Sequence, residues 1–297
     1  MKKLLFTLIA VLGLSSLAQA DDFSLSGAQF AKAAPAAQPA MMMKAETPAV
    51  TLFDGSGTFV QFQTGLDISF LDEIVNGTNG WKSFFPGSYI SGTAARGGVA
   101  SDLSYGIHLD GASSLALNLG NVLTAPSVIS ATDPSNRTVF QADVAPSLYS
   151  ASLVYSLNLA QGAGSRIYFS LGGGWYHGIV SEATLGTSGP GGFGGTFTGD
   201  TVGGTLGLGG EIDLGSSFGL GFTVNGRYAY FSRVSADKAG DASSNPGPYS
   251  LTEFTGPGGQ HVLIPLDNAD INSSSNGYTA VDYSGIDAQF SLTYRFF

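Results

Sequence analysis

Histidine and glycine are the residue types that would first suggest chemistry in this chain, and neither has the spacing that chemistry needs. The three histidines are His108, His177 and His261, and no two of them have metal-ligand spacing. The glycine runs at 172–174 and 191–195 are followed by neither a lysine nor a helical pattern, unlike phosphate-binding loops. The sequence therefore predicts no metal site and no cofactor.

Charged residues are sparse and mostly acidic. The 297 residues include 12 Lys and Arg against 22 Asp and Glu, for a formal net charge of −10, and contain no Cys. Nucleic-acid binders concentrate basic residues on one surface, and no basic cluster occurs here. The composition thus excludes nucleic acid as an expected partner, while the absence of Cys is compatible with an exported protein.

The first twenty residues have the pattern of a secretory signal peptide. Lys2 and Lys3 precede an apolar stretch at 4–17, and Ala18-Gln19-Ala20 forms a small-x-small cleavage site. An uncleaved anchor helix is the alternative, although the apolar stretch is short for a membrane span. Residues 21–57 are rich in Ala and Pro, which predicts a flexible periplasmic leader.

From residue 58 onward, apolar and polar residues alternate with a period of two, as in strands that have one apolar face. Most of these segments reach the 9 to 11 residues that cross a bilayer as tilted strands. No later stretch has the eighteen consecutive apolar residues of a membrane helix. The eight alternating segments are 60–70, 99–109, 115–120, 149–159, 166–175, 201–214, 218–230 and 286–296.

The connections between these segments alternate strictly between long and short. Long connections follow the odd segments, and short connections of a few residues follow the even ones. Transmembrane barrels sort their connections in this way, with short periplasmic turns and long extracellular loops. The sequence therefore predicts an all-β fold, an eight-stranded antiparallel transmembrane barrel over 58–297. The long connections are 72–98, 124–143, 181–199 and 232–280.

Two segments carry a resemblance to a known family. The chain ends Phe290-Ser-Leu-Thr-Tyr-Arg-Phe-Phe297, which resembles the assembly signal of Gram-negative outer-membrane barrels, and 204–230 resembles the penultimate hairpin of OmpA-like and opacity-protein-like barrels. The resemblance implies recognition of Phe296 and Phe297 by the barrel-assembly machinery and location in the outer membrane. It also implies contact with outer-membrane lipid and lipopolysaccharide, and we expect a monomer.

The polar face of each strand is predicted to line the lumen. A one-residue slip would place Arg227 near the middle of the membrane, at a cost of about 2–4 kcal/mol. Distances along the strands place four charged residues near the periplasmic end and a further pair higher up. The expected luminal ion pairs involve Arg166, Glu211, Asp213 and Arg295 in the lower cluster, and Arg227 with Asp287 above it.

These luminal pairs allow two interpretations, a selectivity constriction or simple filling of a narrow interior. Aromatic residues in the first and last long loops likewise allow two, a ligand-binding surface or a lid that packs on itself. The loop binding candidates are Trp81, Phe84, Phe85, Tyr89, Tyr249 and Phe254.

The most favoured function is a structural or surface-adhesive outer-membrane protein without enzymatic activity. A narrow, porin-like passive channel is the alternative. A lipid-modifying enzyme is less favoured, because lipid-deacylating barrels carry a His-x-Ser dyad on a lipid-facing strand, and His177-Gly178-Ile179 lacks the serine. No residue is predicted to be catalytic.

Overall fold

The computed structural model describes residues 57–80, 89–93, 96–135, 137–162, 164–186, 194–238, 246–255, 261–267 and 278–296. The predicted signal peptide and all but the last residue of the predicted leader lie outside these ranges. Among the described residues, no helix is long and apolar enough to cross a membrane.

The described residues form fifteen strands and one helix, α1 (Asp72–Gly80). The strands are β1 (Gly57–Ser69), β2 (Tyr89–Thr93), β3 (Gly97–His108), β4 (Ser113–Thr124), β5 (Ser127–Thr132), β6 (Thr138–Gly162), β7 (Ser165–Gly186), β8 (Gly194–Asp213), β9 (Phe218–Tyr228), β10 (Tyr230–Phe231), β11 (Ser235–Lys238), β12 (Pro246–Thr255), β13 (His261–Asp267), β14 (Val281–Asp282) and β15 (Gly285–Phe296).

Eight of these strands close into a ring. Each pairs antiparallel with its neighbours in the order β1, β3, β4, β6, β7, β8, β9 and β15, and β15 returns to β1 with Thr58 opposite Phe296. Closure satisfies the backbone groups of every strand without leaving an edge in the membrane. The predicted eight-stranded antiparallel barrel is confirmed.

The outer face of the ring is an apolar belt. Alternate residues of all eight strands point outward and are exposed, which is expected where lipid rather than water surrounds the protein. Phe222 and Phe290 also contact each other across adjacent strands, with ring centroids 5.3 Å apart. One outward residue from each strand in turn is Leu66, Leu103, Leu117, Leu153, Leu171, Leu206, Phe222 and Phe290.

Three neighbouring strands extend well beyond the membrane. β6, β7 and β8 contain 25, 22 and 20 residues, whereas the other five barrel strands contain 11 to 13. Eleven tilted residues climb about 25 Å, which spans the apolar band of the membrane. The additional residues of the long strands therefore form an extracellular layer, in which β2 and β5 continue the sheet beyond β6, and β11, β12 and β13 continue it beyond β8.

The predicted long connections are therefore not irregular loops. Parts of 124–143, 181–199 and 232–280 are strands, and 72–80 is a helix. The sequence pattern missed these strands because their outward residues face water, so the alternation reverses. In the membrane part of β7, Leu171 points outward and Ser170 is buried, whereas higher up Ser181 is exposed and Val180 is buried.

An apolar core fills the extracellular end of the barrel. It combines inward residues of the long strands with Leu71 and Ile74 at the start of α1, and with residues of β10, β12 and β14. The buried members are Leu71, Ile74, Ala100, Val122, Val144, Leu148, Tyr176, Val180, Phe197, Ala229, Phe231, Val234, Ala236, Leu251, Val281 and Tyr283.

Candidate functional site in the barrel lumen

A buried ion-pair network, which we call the lower network, lies near the short turns. Arg166 Nη2 donates to Glu211 Oε2 at 2.8 Å, Arg295 Nη2 donates to Glu211 Oε1, and Arg295 Nη1 donates to Asp213 Oδ1 at 2.7 Å. All four side chains are almost completely shielded from solvent. The structure thus brings together the four residues that the sequence placed at this height.

Strand register and one glycine position the lower network. Arg166 on β7 lies directly opposite Glu211 on β8. Arg295 on β15 reaches the same carboxylate across the intervening strand β9, where Gly219 presents no side chain. A Cβ at Gly219 would collide with Glu211 Oε1 and lie 2.8 Å from Arg295 Nη2. Any larger residue at 219 would therefore have to displace the Glu211 and Arg295 side chains from their present positions.

A second network, the upper network, surrounds Arg227. Its guanidinium lies 3.8 Å from Asp287, the partner that the sequence predicted, but only 3.0 Å from Asp67. Arg227 Nε also donates to the Tyr283 carbonyl at 3.1 Å, and Asn225 donates to Asp287 at 2.8 Å. Asp67 was missed as a partner of Arg227 because β1 and β9 are separated in the ring by β15 and lie far apart in sequence.

The register explains why both carboxylates need the same cation. Asp67 on β1 lies directly opposite Asp287 on β15, with both side chains in the lumen. Like charges in this position repel each other. Arg227 contacts both and lowers the repulsion, so the upper network depends on one guanidinium.

A cavity of about 90 Å³ lies within the lumen, lined by residues that include Asp102, Tyr176, Arg227 and Asp287. Asp102 Oδ2 accepts a hydrogen bond of 2.6 Å from Gln289, and Asp102 Oδ1 accepts one of 3.1 Å from Asn118. Asp102 lies on the polar strand face that the sequence predicts to line the lumen, but the cavity itself could not be predicted, because its walls come from strands throughout the chain.

The predicted loop binding candidates lie mostly outside the described structure. Trp81, Phe84 and Phe85 fall outside the described residues. Tyr89 belongs to β2 and Phe254 to β12, but their side chains are not described. Tyr249 is described, and its side chain packs partly buried against the apolar core.

The terminal aromatic residues form a separate case. Phe296 is exposed at the end of β15, and its ring lies 4.8 Å from that of Tyr294. Phe297 lies outside the described residues.

Two histidines have defined surroundings. His177 lies on the outer face of β7, where its ring stacks on Trp175 and its Nδ1 lies 2.9 Å from Asp200 Oδ1. His108 faces the lumen, with its ring 5.1 Å from that of Phe59. Within the described ranges, no three His, Cys, Asp or Glu side chains are grouped closely enough to hold a metal ion directly.

Comparison with known proteins finds similarity only among solved structures. No protein-family model and no curated protein matches the chain. Neisserial surface protein A is 10% identical, with 81% of this chain and 98% of that chain covered and a TM-score of 0.41. OprG from Pseudomonas aeruginosa is 12% identical, with 82% and 97% covered and a TM-score of 0.38.

Ail, the attachment invasion locus protein of Yersinia pestis, is 7% identical, with 82% and 99% covered and a TM-score of 0.35. These similarities are too distant to transfer any activity. The closed ring and the outward apolar belt stand on this chain's own geometry. On that geometry, the chain is an eight-stranded antiparallel transmembrane β-barrel protein.

Proposed function

We propose that this protein is a non-enzymatic outer-membrane protein with a structural or surface-adhesive role, exported by the signal peptide at 1–20. The apolar core at the extracellular end of the lumen is the observation that carries the proposal. Three of its largest members, Phe197, Phe231 and Tyr283, are almost fully buried inside the ring. An apolar filling offers no hydrogen bonds to a hydrated solute, which favours an anchor over a channel.

The rest of the architecture supports the same role. The lower network ties together β7, β8 and β15 inside the lumen, and the long strands hold a packed layer above the membrane. A rigid, closed barrel that carries a structured extracellular layer suits the display of a surface.

Planar-bilayer recording tests the proposal. We expect no reproducible unitary conductance from the purified wild-type protein. The variant Phe197→Ala removes a large buried ring from the apolar core. It checks whether the recording can detect a lumen that has been opened. Phe222→Ala, which shortens a lipid-facing side chain instead, is its matched control. Reproducible unitary steps from the wild type would contradict the proposal and favour the passive channel, the candidate that the internal cavity favours.

The adhesive part of the role has its own test. Cells that express the protein should attach to host-cell monolayers more strongly than cells that lack it. Replacement of Trp81, Phe84 and Phe85 by Ala should reduce attachment without changing the amount of folded barrel. Equal attachment with and without the protein would contradict the adhesive role and would be consistent with the structural role alone.

A lipid-modifying activity is the second alternative, and the hydrogen-bonded pair His177–Asp200 is the observation that favours it. A histidine oriented by a carboxylate can act as a general base. Expression should nevertheless leave the mobility of lipid A unchanged. A mobility shift that His177→Ala abolishes would overturn the non-enzymatic proposal.

The expected partners follow from the same architecture. We infer that the apolar belt contacts outer-membrane lipid and lipopolysaccharide, that the barrel-assembly machinery recognises the C-terminal Phe296 and Phe297, and that the protein is a monomer. Truncation of these two residues should lower the amount of folded barrel in the outer membrane, as measured by heat-modifiable gel mobility. Unchanged assembly would contradict the assembly role.

A further inference from the structure

The upper network and the neighbouring Asp102 together contain more negative than positive groups. Asp67, Asp102 and Asp287 are carboxylates, and among the described residues the guanidinium of Arg227 is the cation in contact with two of them. If all four groups are ionised, two negative charges are left uncompensated. A buried uncompensated charge is strongly unfavourable, so this site requires a further positive charge or the loss of its own negative charge.

Asp102 is the carboxylate that lies apart from Arg227. Its hydrogen bonds come from two neutral amides, Gln289 at 2.6 Å and Asn118 at 3.1 Å. Its register partner on β4 is Gly120, where an added Cβ would collide with Asp102 Oδ1. The absence of a side chain at Gly120 therefore lets this carboxylate lie against the wall of the cavity.

A second observation, independent of the carboxylates, indicates a ligand in the cavity. Tyr176 lines the cavity and is only 1% exposed, yet its hydroxyl has no hydrogen-bond partner among the described residues. The Oε1 atom of fully buried Gln289, whose amide nitrogen binds Asp102, also has none in the described part of the chain. Buried polar atoms are rarely left unpaired. The Tyr176 oxygen, on the wall of the cavity, can accept, which suits a cation or the water molecules around one.

We propose that this cavity binds one hydrated divalent cation of the Mg²⁺ type, held by Asp102 and Asp287 with Tyr176 as a further oxygen contact. Two positive charges match the two that the upper network and Asp102 together lack. All the available groups are hard oxygen donors. Mg²⁺ and Ca²⁺ prefer such ligands, whereas transition metals prefer nitrogen and sulfur.

The ion retains water because the protein supplies too few direct ligands. No three carboxylate or histidine side chains of the described residues are grouped for direct coordination. Mg²⁺ commonly keeps several waters and binds through one or two carboxylates. A cavity of about 90 Å³ has room for the ion with several waters, since one water needs roughly 10–15 Å³ on this measure.

The position of the cavity makes binding part of folding. The apolar core lies on its extracellular side, and Arg166 of the lower network lines its other side. An ion between these barriers exchanges slowly and is captured when the barrel closes. Binding to the folded state alone then raises the stability of the barrel.

Refolding of the full mature chain in detergent, without lipopolysaccharide, tests the proposal. Protein refolded with EDTA is compared with protein refolded with Mg²⁺, Ca²⁺ or Na⁺, by elemental analysis of the desalted protein and by its unfolding midpoint. We expect one equivalent of retained Mg²⁺ and a higher midpoint than with EDTA or Na⁺. Asp102→Asn should weaken Mg²⁺ retention by about 10-fold or more.

Two further variants separate the ion from general effects of charge. Tyr176→Phe removes only a hydroxyl, so it should weaken Mg²⁺ retention without lowering the midpoint in EDTA. Asp213→Asn makes the same chemical change as Asp102→Asn, but in the lower network, and should retain Mg²⁺ as the wild type does.

Three results would overturn the proposal. The first is that the wild-type protein retains no divalent metal and that its unfolding midpoint does not change with Mg²⁺. The second is equal stabilisation by Na⁺ and Mg²⁺. The third is that Asp102→Asn is more stable than the wild type in EDTA and that Mg²⁺ changes the midpoint of neither protein. That result would mean that protons neutralise the excess negative charge. If Asp102→Asn fails to fold, Tyr176→Phe and the metal content of the wild type decide.

Discussion

The membrane part and the extracellular part of this barrel share three long strands, β6, β7 and β8, whose inward and outward faces exchange polarity between the two parts. In the membrane, Leu171 and Leu206 point outward and the lumen holds the ion pairs of Arg166 and Glu211. Above the membrane, Val180 and Phe197 point inward and Ser181 is exposed. The strands do not change direction between the two parts, so the surrounding medium alone explains the reversal of the pattern.

The contrast teaches where each part gains its stability. In the membrane, the outward apolar side chains are already surrounded by lipid, so they do not favour closure of the barrel. The pairing of luminal polar groups therefore stabilises the closed barrel. Above the membrane, water provides the usual hydrophobic driving force for burial of the apolar core. The luminal networks and the apolar core therefore respond to different perturbations.

Loss of Glu211 should have the largest effect on the membrane part. Glu211→Gln leaves Arg166 and Arg295 without their shared carboxylate in a buried site. We expect a loss of about 3–5 kcal/mol in the free energy of unfolding, as measured by denaturant titration in lipid vesicles. A loss below about 1 kcal/mol would show that water in the lumen solvates both guanidinium groups.

Two separate arginine substitutions on the outer surface, one in the membrane part and one in the extracellular part, test the difference in polarity between these surfaces. Leu206→Arg places a charge in the middle of the apolar belt and should cost about 2–4 kcal/mol. Ser181→Arg, which points outward from the extracellular layer, should change the free energy of unfolding by less than about 0.5 kcal/mol. Equal effects of the two substitutions would contradict the assigned position of the membrane.

Glu182 should make the extracellular layer sensitive to pH. Its carboxyl lies inside this layer, and burial raises its pKa to about 8 from 4.5. Because the folded pKa is the higher one, the layer is most stable below pH 4.5 and loses stability as the pH rises to about 8. Between pH 5 and 9 the expected loss is on the order of 4 kcal/mol.

Glu182→Gln is the matched variant for this pH effect, since it keeps the shape of the side chain without its ionisation. Its extracellular layer should resist protease equally at pH 5 and pH 9, whereas the wild type should become more susceptible at pH 9. A wild type with the same susceptibility at both values would mean that Glu182 ionises at its usual pKa.

The smallest effect should come from the outer surface, where the pair His177–Asp200 is partly exposed. Exposed pairs contribute little, so Asp200→Asn should cost about 0.2–1 kcal/mol in the same denaturant titration as Glu211→Gln. A cost as large as that of Glu211→Gln would show that the pair is shielded by lipid.

The sequence predicted the membrane part well because alternation against lipid is strict there. All eight barrel strands lie where the alternating segments predicted them. The four residues of the lower network could be placed at one height because each lies close to a short turn or to the end of β15. That estimate needs only the rise per residue along a strand.

The extracellular layer and the upper network could not be derived in the same way. The reversed alternation in 181–199 gives no outward apolar signal, so Phe197 was assigned to a loop. Helix α1 carries Asp72 and Glu73 in its first turn, a signal that favours a helix start. The contact between Arg227 and Asp67 depends on the register of β15 with both β1 and β9, which pattern reading does not supply.

Closure of the ring joins parts of the chain that are made at very different times. The hydrogen bond from Gln61 to Thr293 connects residues 232 positions apart. Until that contact exists, β1 and β15 are both free edges that can pair with any extended chain nearby. Contacts of such long range form slowly. The ring that leaves the folded protein without edges in the membrane thus gives the unfinished chain a long period of vulnerability to aggregation.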